Sequence, residues 1–232
     1  MRIIAAVDIM GWSVVRLVKG DPANKTVYSS DPVETARKWE AAGADMLHIV
    51  DLDAAFASGD NSQLVSEIAG AIKIPVQVAG GIRSVEKAEE MLGKAARVVI
   101  GTMAYNQPET VRRLAKKNPG RVVISIDQIG GNVMVKGWKE SAGTRVADAI
   151  SQFSAMGIDE FLLTSIERDG TLQGPDVETL AEAAKSGRII ASGGITSLND
   201  IVKVRSAGCS SVILGKALYE GKITIERAKA LA

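Results

Sequence analysis

Two aspartates, Asp8 and Asp127, each close a short apolar run and are candidates for proton transfer. A carboxylate at the end of an apolar strand is costly to desolvate unless it is paired or used. Two such acids in different surroundings suit general acid–base work on a substrate held between them. The alternative, for each alone, is to cap the loop that follows. Glycine pairs accompany them. Gly80-Gly81 and Gly193-Gly194 each follow an apolar run and precede a serine, Ser84 or Ser197, placed to cap a helix. Gly101-Thr102 and Gly215-Lys216 follow two further runs. Turns of this kind expose backbone N–H groups at a helix start and cradle phosphate. One glycine pair is ordinary turn chemistry. The whole two-loop arrangement occurring twice implies a small-molecule substrate with a phosphate at each end. Arg83 and Lys216 could add positive charge. Thr164 and Asp169 lie in a polar stretch able to bond a ligand or to order its own loop. Asp51 and Asp53 have Asp-x-Asp spacing, but two acids without a third partner make a poor metal site. A structural or substrate-contact role is expected there, and no metal. Trp12 and Trp138 could stack on a flat ligand or pack their loops. His48, in mid-strand, and Cys209 read as packing residues.

The elements that must position these groups are apolar runs at residues 3–7, 46–50, 76–79, 98–100, 122–126, 161–163, 189–191 and 211–214. Continuous rather than alternating apolarity marks parallel strands buried on both faces. Helices start between them, at Asp31-Pro32 and at Pro108 for example. The second half mirrors the first. Gly80-Gly81-Ile82-Arg83-Ser84 is matched 113 residues on by Gly193-Gly194-Ile195-Thr196-Ser197, Gly101 by Gly215 at 114, and the aspartates are 119 apart. Four β/α units, duplicated, make eight and close a barrel. The expected fold is α/β, a single (βα)8 TIM barrel over residues 1–232 built from two (βα)4 halves. Its first and fifth strands face each other, so Asp8 and Asp127 should oppose one another at the mouth. Residues 11–27 are expected as a mobile loop that closes over ligand.

Composition narrows the chemistry. The chain is 46% hydrophobic and 24% charged, as in ordinary globular proteins. Lys+Arg 28 against Asp+Glu 27 leaves a net charge of +1 and no basic excess for nucleic acid. One cysteine and one histidine exclude a disulfide framework and a cysteine metal cage. No apolar run reaches membrane length, and Asp8 comes too early for a signal peptide. A cytoplasmic protein is expected.

Several stretches carry a resemblance: Val7-Asp8-Ile9, Arg16-Leu17-Val18-Lys19-Gly20-Asp21, His48-Ile49-Val50-Asp51-Leu52-Asp53, Gly80-Gly81-Ile82-Arg83-Ser84, Arg168-Asp169-Gly170-Thr171-Leu172 and Gly215-Lys216-Ala217-Leu218-Tyr219. Together they resemble the ProFAR isomerases of histidine biosynthesis, essentially end to end. The resemblance implies a cofactor-free Amadori rearrangement with Asp8 as general base and Asp127 as general acid. Thr164 and Asp169 match family positions near the reacting sugar. The full set of expected substrate contacts is Arg16, Lys19, Asp51, Gly80, Gly81, Arg83, Gly101, Thr102, Trp138, Thr164, Asp169, Gly193, Gly194, Gly215 and Lys216, and a monomer is expected. Two departures stand out. Gly11-Trp12-Ser13 replaces a Gly-Gly-Lys common in relatives, and Gln128-Ile129-Gly130-Gly131 lacks an arginine two positions after the acid. Leu162-Leu163-Thr164-Ser165 is more similar to the cyclase subunit of imidazole glycerol phosphate synthase. Leu52-Asp53-Ala54-Ala55-Phe56 is similar to dual isomerases that also take phosphoribosyl anthranilate. A non-catalytic phosphoribosyl-binding barrel is the remaining alternative.

Overall fold

The eight apolar runs form parallel strands in the computed structural model, which describes residues 1–232. In chain order the strands are β1 (Arg2–Met10), β2 (Ser13–Val18), β3 (Asp21–Ser29), β4 (Met46–Asp51), β5 (Val76–Ala79) and β6 (Arg97–Ile100). They continue as β7 (Val122–Ile129), β8 (Asn132–Val135), β9 (Glu140–Arg145), β10 (Glu160–Ser165), β11 (Arg188–Ser192) and β12 (Ser211–Leu214). Strands β1, β4, β5, β6, β7, β10, β11 and β12 pair in that order, and β12 returns to β1. The barrel is closed, and β1 and β7 stand diametrically opposed in it.

Alternation along each strand sends one set of side chains inward and the other outward. Ile4, Ala6, Met46, Val99, Val123, Leu162, Ile190 and Ile213 fill the inside as one apolar cluster. The outward set joins the helices in a single core of 54 buried residues. The helix Pro32–Ala41 shows how the layers join: Asp31 caps it by accepting from the Glu34 N–H, and Ala36 and Trp39 bury its inner face. At the amino-terminal end of the barrel, the Glu160 carboxylate accepts from the guanidinium groups of both Arg2 and Arg97. Glu160 and Arg97 are buried, so this end is closed by an ion-paired layer beneath the apolar one.

Residues 11–27, expected as a loop, are mostly strand. β1 runs past Asp8 to Met10 and turns back into β2, which pairs in turn with β3, both antiparallel. The second half does the same through β7, β8 and β9. The turns explain it. Gly11 and Trp12, Lys19 and Gly20, and Gly130 and Gly131 are adjacent pairs with positive φ at both positions, the conformation that two-residue hairpins require. Asp8 and Asp127 therefore lie two residues inside their strands, where the barrel gives way to a hairpin, rather than at the strand ends.

Candidate active site

Asp8 meets Arg16 because β1 and β2 are neighbours in the first hairpin. Nη1 of Arg16 lies 2.8 Å from Oδ2 of Asp8. Burial pushes the Asp8 carboxyl up to about 6; Arg16 pulls against that, and Asp169 adds to it. The guanidinium lies flat over Gly215: a Cβ at that position would sit 2.4 Å from Nη2 of Arg16. Glycine at 215 is thus the space in which the cation that faces Asp8 rests.

Asp127 sits on the opposite wall with neutral partners. Ser125 Oγ donates to its Oδ1 at 3.2 Å, and the Trp138 and Thr164 side chains lie near enough to lower its pKa as neutral donors. Burial raises its pKa; the three donors oppose the rise and Asp169 reinforces it. Trp138, from the β8–β9 turn, also reaches across the mouth, where a Cβ on Gly20 would be 2.7 Å from its ring. The tips of the two hairpins therefore touch above the aspartates.

Asp169, after β10, stands between the walls, near enough to Asp8 and to Asp127 to raise both. Its backbone carbonyl accepts from the Lys19 N–H at 3.1 Å. Gly170 beside it packs on β2, with room for no Cβ, which would lie 2.5 Å from the Leu17 carbonyl oxygen. Lys216 Nζ donates to the Gly170 carbonyl at 3.2 Å. Arg16, Thr164, Trp138, Asp169 and Lys216 are thus brought to one mouth with the two aspartates, and the Lys19 backbone ties the first hairpin over it.

The glycine sites are near-copies of one another. Gly80 and Gly81 have φ of 96° and 68°, and Gly193 and Gly194 have 94° and 81°. Gly101 (φ −98°, ψ −111°) and Gly215 (φ −115°, ψ −108°) open the short helices Thr102–Asn106 and Lys216–Tyr219. First-turn N–H groups of helices have no partner within the helix. Thr102 Oγ1 accepts from the Lys136 N–H at 2.9 Å, so the second hairpin reaches the first of these sites.

Other candidates serve the scaffold here. Asp51, buried, accepts from the N–H groups of Ala54 and Asn61 and from Nδ2 of Asn61. Asp53 accepts from Gly11 N–H and from Asn61 Nδ2, both at 2.8 Å. Arg83 is exposed and donates to the Ala55 carbonyl. His48, buried, pairs through Nδ1 with Gln77 Nε2, and burial with nearby Arg16 pushes its pKa down to about 3, so the imidazole is neutral. Cys209 packs in the core, and Trp12 is exposed. Sequence reasoning missed Ser125 as a partner of Asp127 and missed both hairpins. The hairpin signal was present in Lys19-Gly20 and Gly130-Gly131, each beside an apolar run.

The chain matches the family described as histidine biosynthesis protein over residues 2–224. It is 51% identical to a protein of Nitrosopumilus maritimus over 100% of this chain and 99% of that one. Identity is 46% to one of Cenarchaeum symbiosum (98% and 99% covered) and 44% to one of Halothermothrix orenii (97% and 98% covered). All three are named as phosphoribosyl-substituted imidazole-4-carboxamide isomerases. A barrel with two opposed aspartates and a likeness this long leave one assignment: the chain belongs to the histidine biosynthesis protein family.

Proposed function

We propose that the chain is the aldose–ketose isomerase that converts ProFAR into its phosphoribulosyl isomer, acting as a cytoplasmic monomer without a cofactor. The observation that carries this reading is the unequal treatment of the opposed aspartates. Asp8 has a guanidinium at 2.8 Å, whereas the groups that oppose the rise at Asp127, Trp138, Thr164 and Ser125, are neutral donors. A cation favours the ionised form, and burial without one favours the protonated form. Asp8 is therefore the base and Asp127 the acid. Asp127 gives its proton to the ribose ring oxygen, the ring C–O bond breaks, and the electron pair of the attached nitrogen forms the Schiff base. Asp8 then takes the C2′ proton, leaving an enolamine that tautomerises to the ketose. The glycine sites at Gly81 with Gly101-Thr102, and at Gly194 with Gly215-Lys216, hold the two phosphates. Lys19, Trp138, Thr164 and Asp169 order the sugar between them. The closed hairpins keep water from the Schiff base.

Turnover of ProFAR by the purified chain tests the assignment. The same assay with phosphoribosyl anthranilate separates a single-substrate from a dual-substrate enzyme; no turnover of either leaves a binding protein.

The pH profile tests the roles. Asp8 works ionised and Asp127 protonated, so kcat/KM should rise with pH through about 6 and fall again at higher pH as Asp127 ionises. Arg16 opposes the rise caused by burial, so Arg16→Met should move that midpoint to higher pH. Substrate phosphates titrate alike in both enzymes, so the difference between profiles belongs to Asp8. An unmoved midpoint would detach Arg16 from the base.

A further inference from the structure

Each half of the barrel ties the turn of its lid hairpin to the cap of a neighbouring helix, and the two halves do so with different side chains. In the first half, the Gly11 N–H donates to Oδ2 of Asp53, which also accepts from Nδ2 of Asn61. Asn61 is the N-cap residue of the helix Ser62–Ala71. In the second half, the Gly131 N–H donates to Oε1 of Gln128 at 2.8 Å, and Nε2 of Gln128 donates to Oδ2 of Asp176 at 2.9 Å. Asp176 caps the helix Val177–Ala183 by accepting from Thr179. Both relays run from turn glycine through one side chain to a helix cap. The relay residue differs in origin: Asp53 comes from the short helix Leu52–Ala55 after β4, and Gln128 from the barrel strand itself. The position matching Gln128 after Asp8 is Ile9, which is apolar and fully buried.

We infer that Gln128 is a positioning residue for the acid Asp127, acting through the β7–β8 turn on Trp138. Gln128 is 1% exposed, follows Asp127 directly, and has both ends of its amide engaged. Its backbone carbonyl accepts from Ile166 N–H, which adds the start of the loop carrying Asp169. One side chain therefore fixes the turn into β8, the strand that leads directly to Lys136, whose N–H donates to Thr102, and to Trp138, which packs against Gly20 and lies near enough to Asp127 to lower its pKa. A buried amide with both ends satisfied holds one geometry, because any other leaves a donor or acceptor unpaired. Glutamine after the acid supplies in this half the tie that Asp53 supplies in the other.

The inference rests on the reading of Asp127 as the acid, and its test includes a measurement independent of turnover. Gln128→Glu sets a carboxylate against that of Asp176 and should break the relay. Adding Asp176→Asn should restore it, because an asparagine amide can donate to the new carboxylate, as Asn61 does to Asp53. In protein labelled with 5-fluorotryptophan, assigned by Trp→Phe variants, the Trp138 fluorine resonance should shift or broaden in Gln128→Glu and recover in the double variant. The Trp39 resonance should stay put in both. In parallel, kcat should fall by about tenfold or more at little-changed KM, a size typical of a misplaced reacting group, and return to within about threefold. Gln128→Met, which drops both bonds without adding charge, should resemble the single variant if Gln128→Glu proves too unstable to purify. An unmoved Trp138 resonance in Gln128→Glu and Gln128→Met, or a double variant no better than the single, overturns the positioning role. A moved and recovered resonance with unchanged turnover also overturns the positioning role, and Asp127→Asn, which leaves this relay in place, decides the acid assignment separately.

Discussion

Asp8→Asn and Asp127→Asn should each lower ProFAR turnover by about two to four orders of magnitude, the range associated with losing one proton-transfer group. Both keep side-chain shape, and substrate should still bind through its phosphates, so KM should change far less than kcat. Stability separates this from a loop-capping role. The folded pKa of Asp8, about 6, lies above its ordinary value of 3.8. Its protonated form is therefore favoured by folding, and that contribution is lost as pH rises through about 4 to 6. At neutral pH the buried, ionised Asp8 opposes folding, and Asp8→Asn relieves this while leaving Arg16 near Asp169 as a remaining anion. The thermal midpoint should shift by less than about 4 °C, the equivalent of 1 kcal/mol at this size. A caps-only aspartate gives the opposite pattern: reduced stability and near-normal turnover. Near-normal turnover in either variant removes that residue from the reaction.

The second large effect is on the phosphate sites. Gly194 has φ of 81°, and a Cβ on it would lie 2.2 Å from the Gly174 carbonyl oxygen. Gly174 N–H in turn donates to the Gly194 carbonyl at 2.9 Å, so the two backbones cannot part without losing that bond. Gly194→Ala should cost about 1–2 kcal/mol for the left-handed conformation and about 1–3 kcal/mol for overpacking. It should also raise KM, because the turn that presents its N–H groups must shift. Gly120→Ala is the control: its φ is 70°, but nothing lies within 4 Å of its Cβ. It should show the conformational cost alone, with KM unchanged. Equal losses in the two variants, at unaltered KM, would mean that Gly194 is an ordinary turn glycine.

The barrel and its internal duplication were legible in the sequence because continuous apolar strands and repeated Gly-Gly-Ile blocks are local signals. The opposition of Asp8 and Asp127 followed from topology alone. The hairpins were not read, although the positive-φ pairs that turn them include four glycines among their six residues. Val14 to Val18 and Asn132 to Val135 mix inward and outward positions in runs too short for periodicity to decide. Pairings between side chains distant in sequence were invisible for a different reason. Gly215 is glycine because Arg16, nearly 200 residues earlier, lies across it, and no local rule contains that fact. Asp51 illustrates the converse: the motif drew attention to a carboxylate whose acceptors are engaged within its own loop.

The ion-paired layer of Arg2, Arg97 and Glu160 beneath the apolar cluster makes the barrel a vessel with one door. On the proposed function the layered floor leaves the mouth as the route, so ketose departs by the opening that aldose entered, past the contact of Trp138 with Gly20. On the proposed assignment of the glycine sites, ketose keeps both phosphates of aldose and competes for the same two positions on its way out. Each catalytic cycle then includes an unlatching step on which neither aspartate acts, and accumulating product slows the enzyme by occupying it.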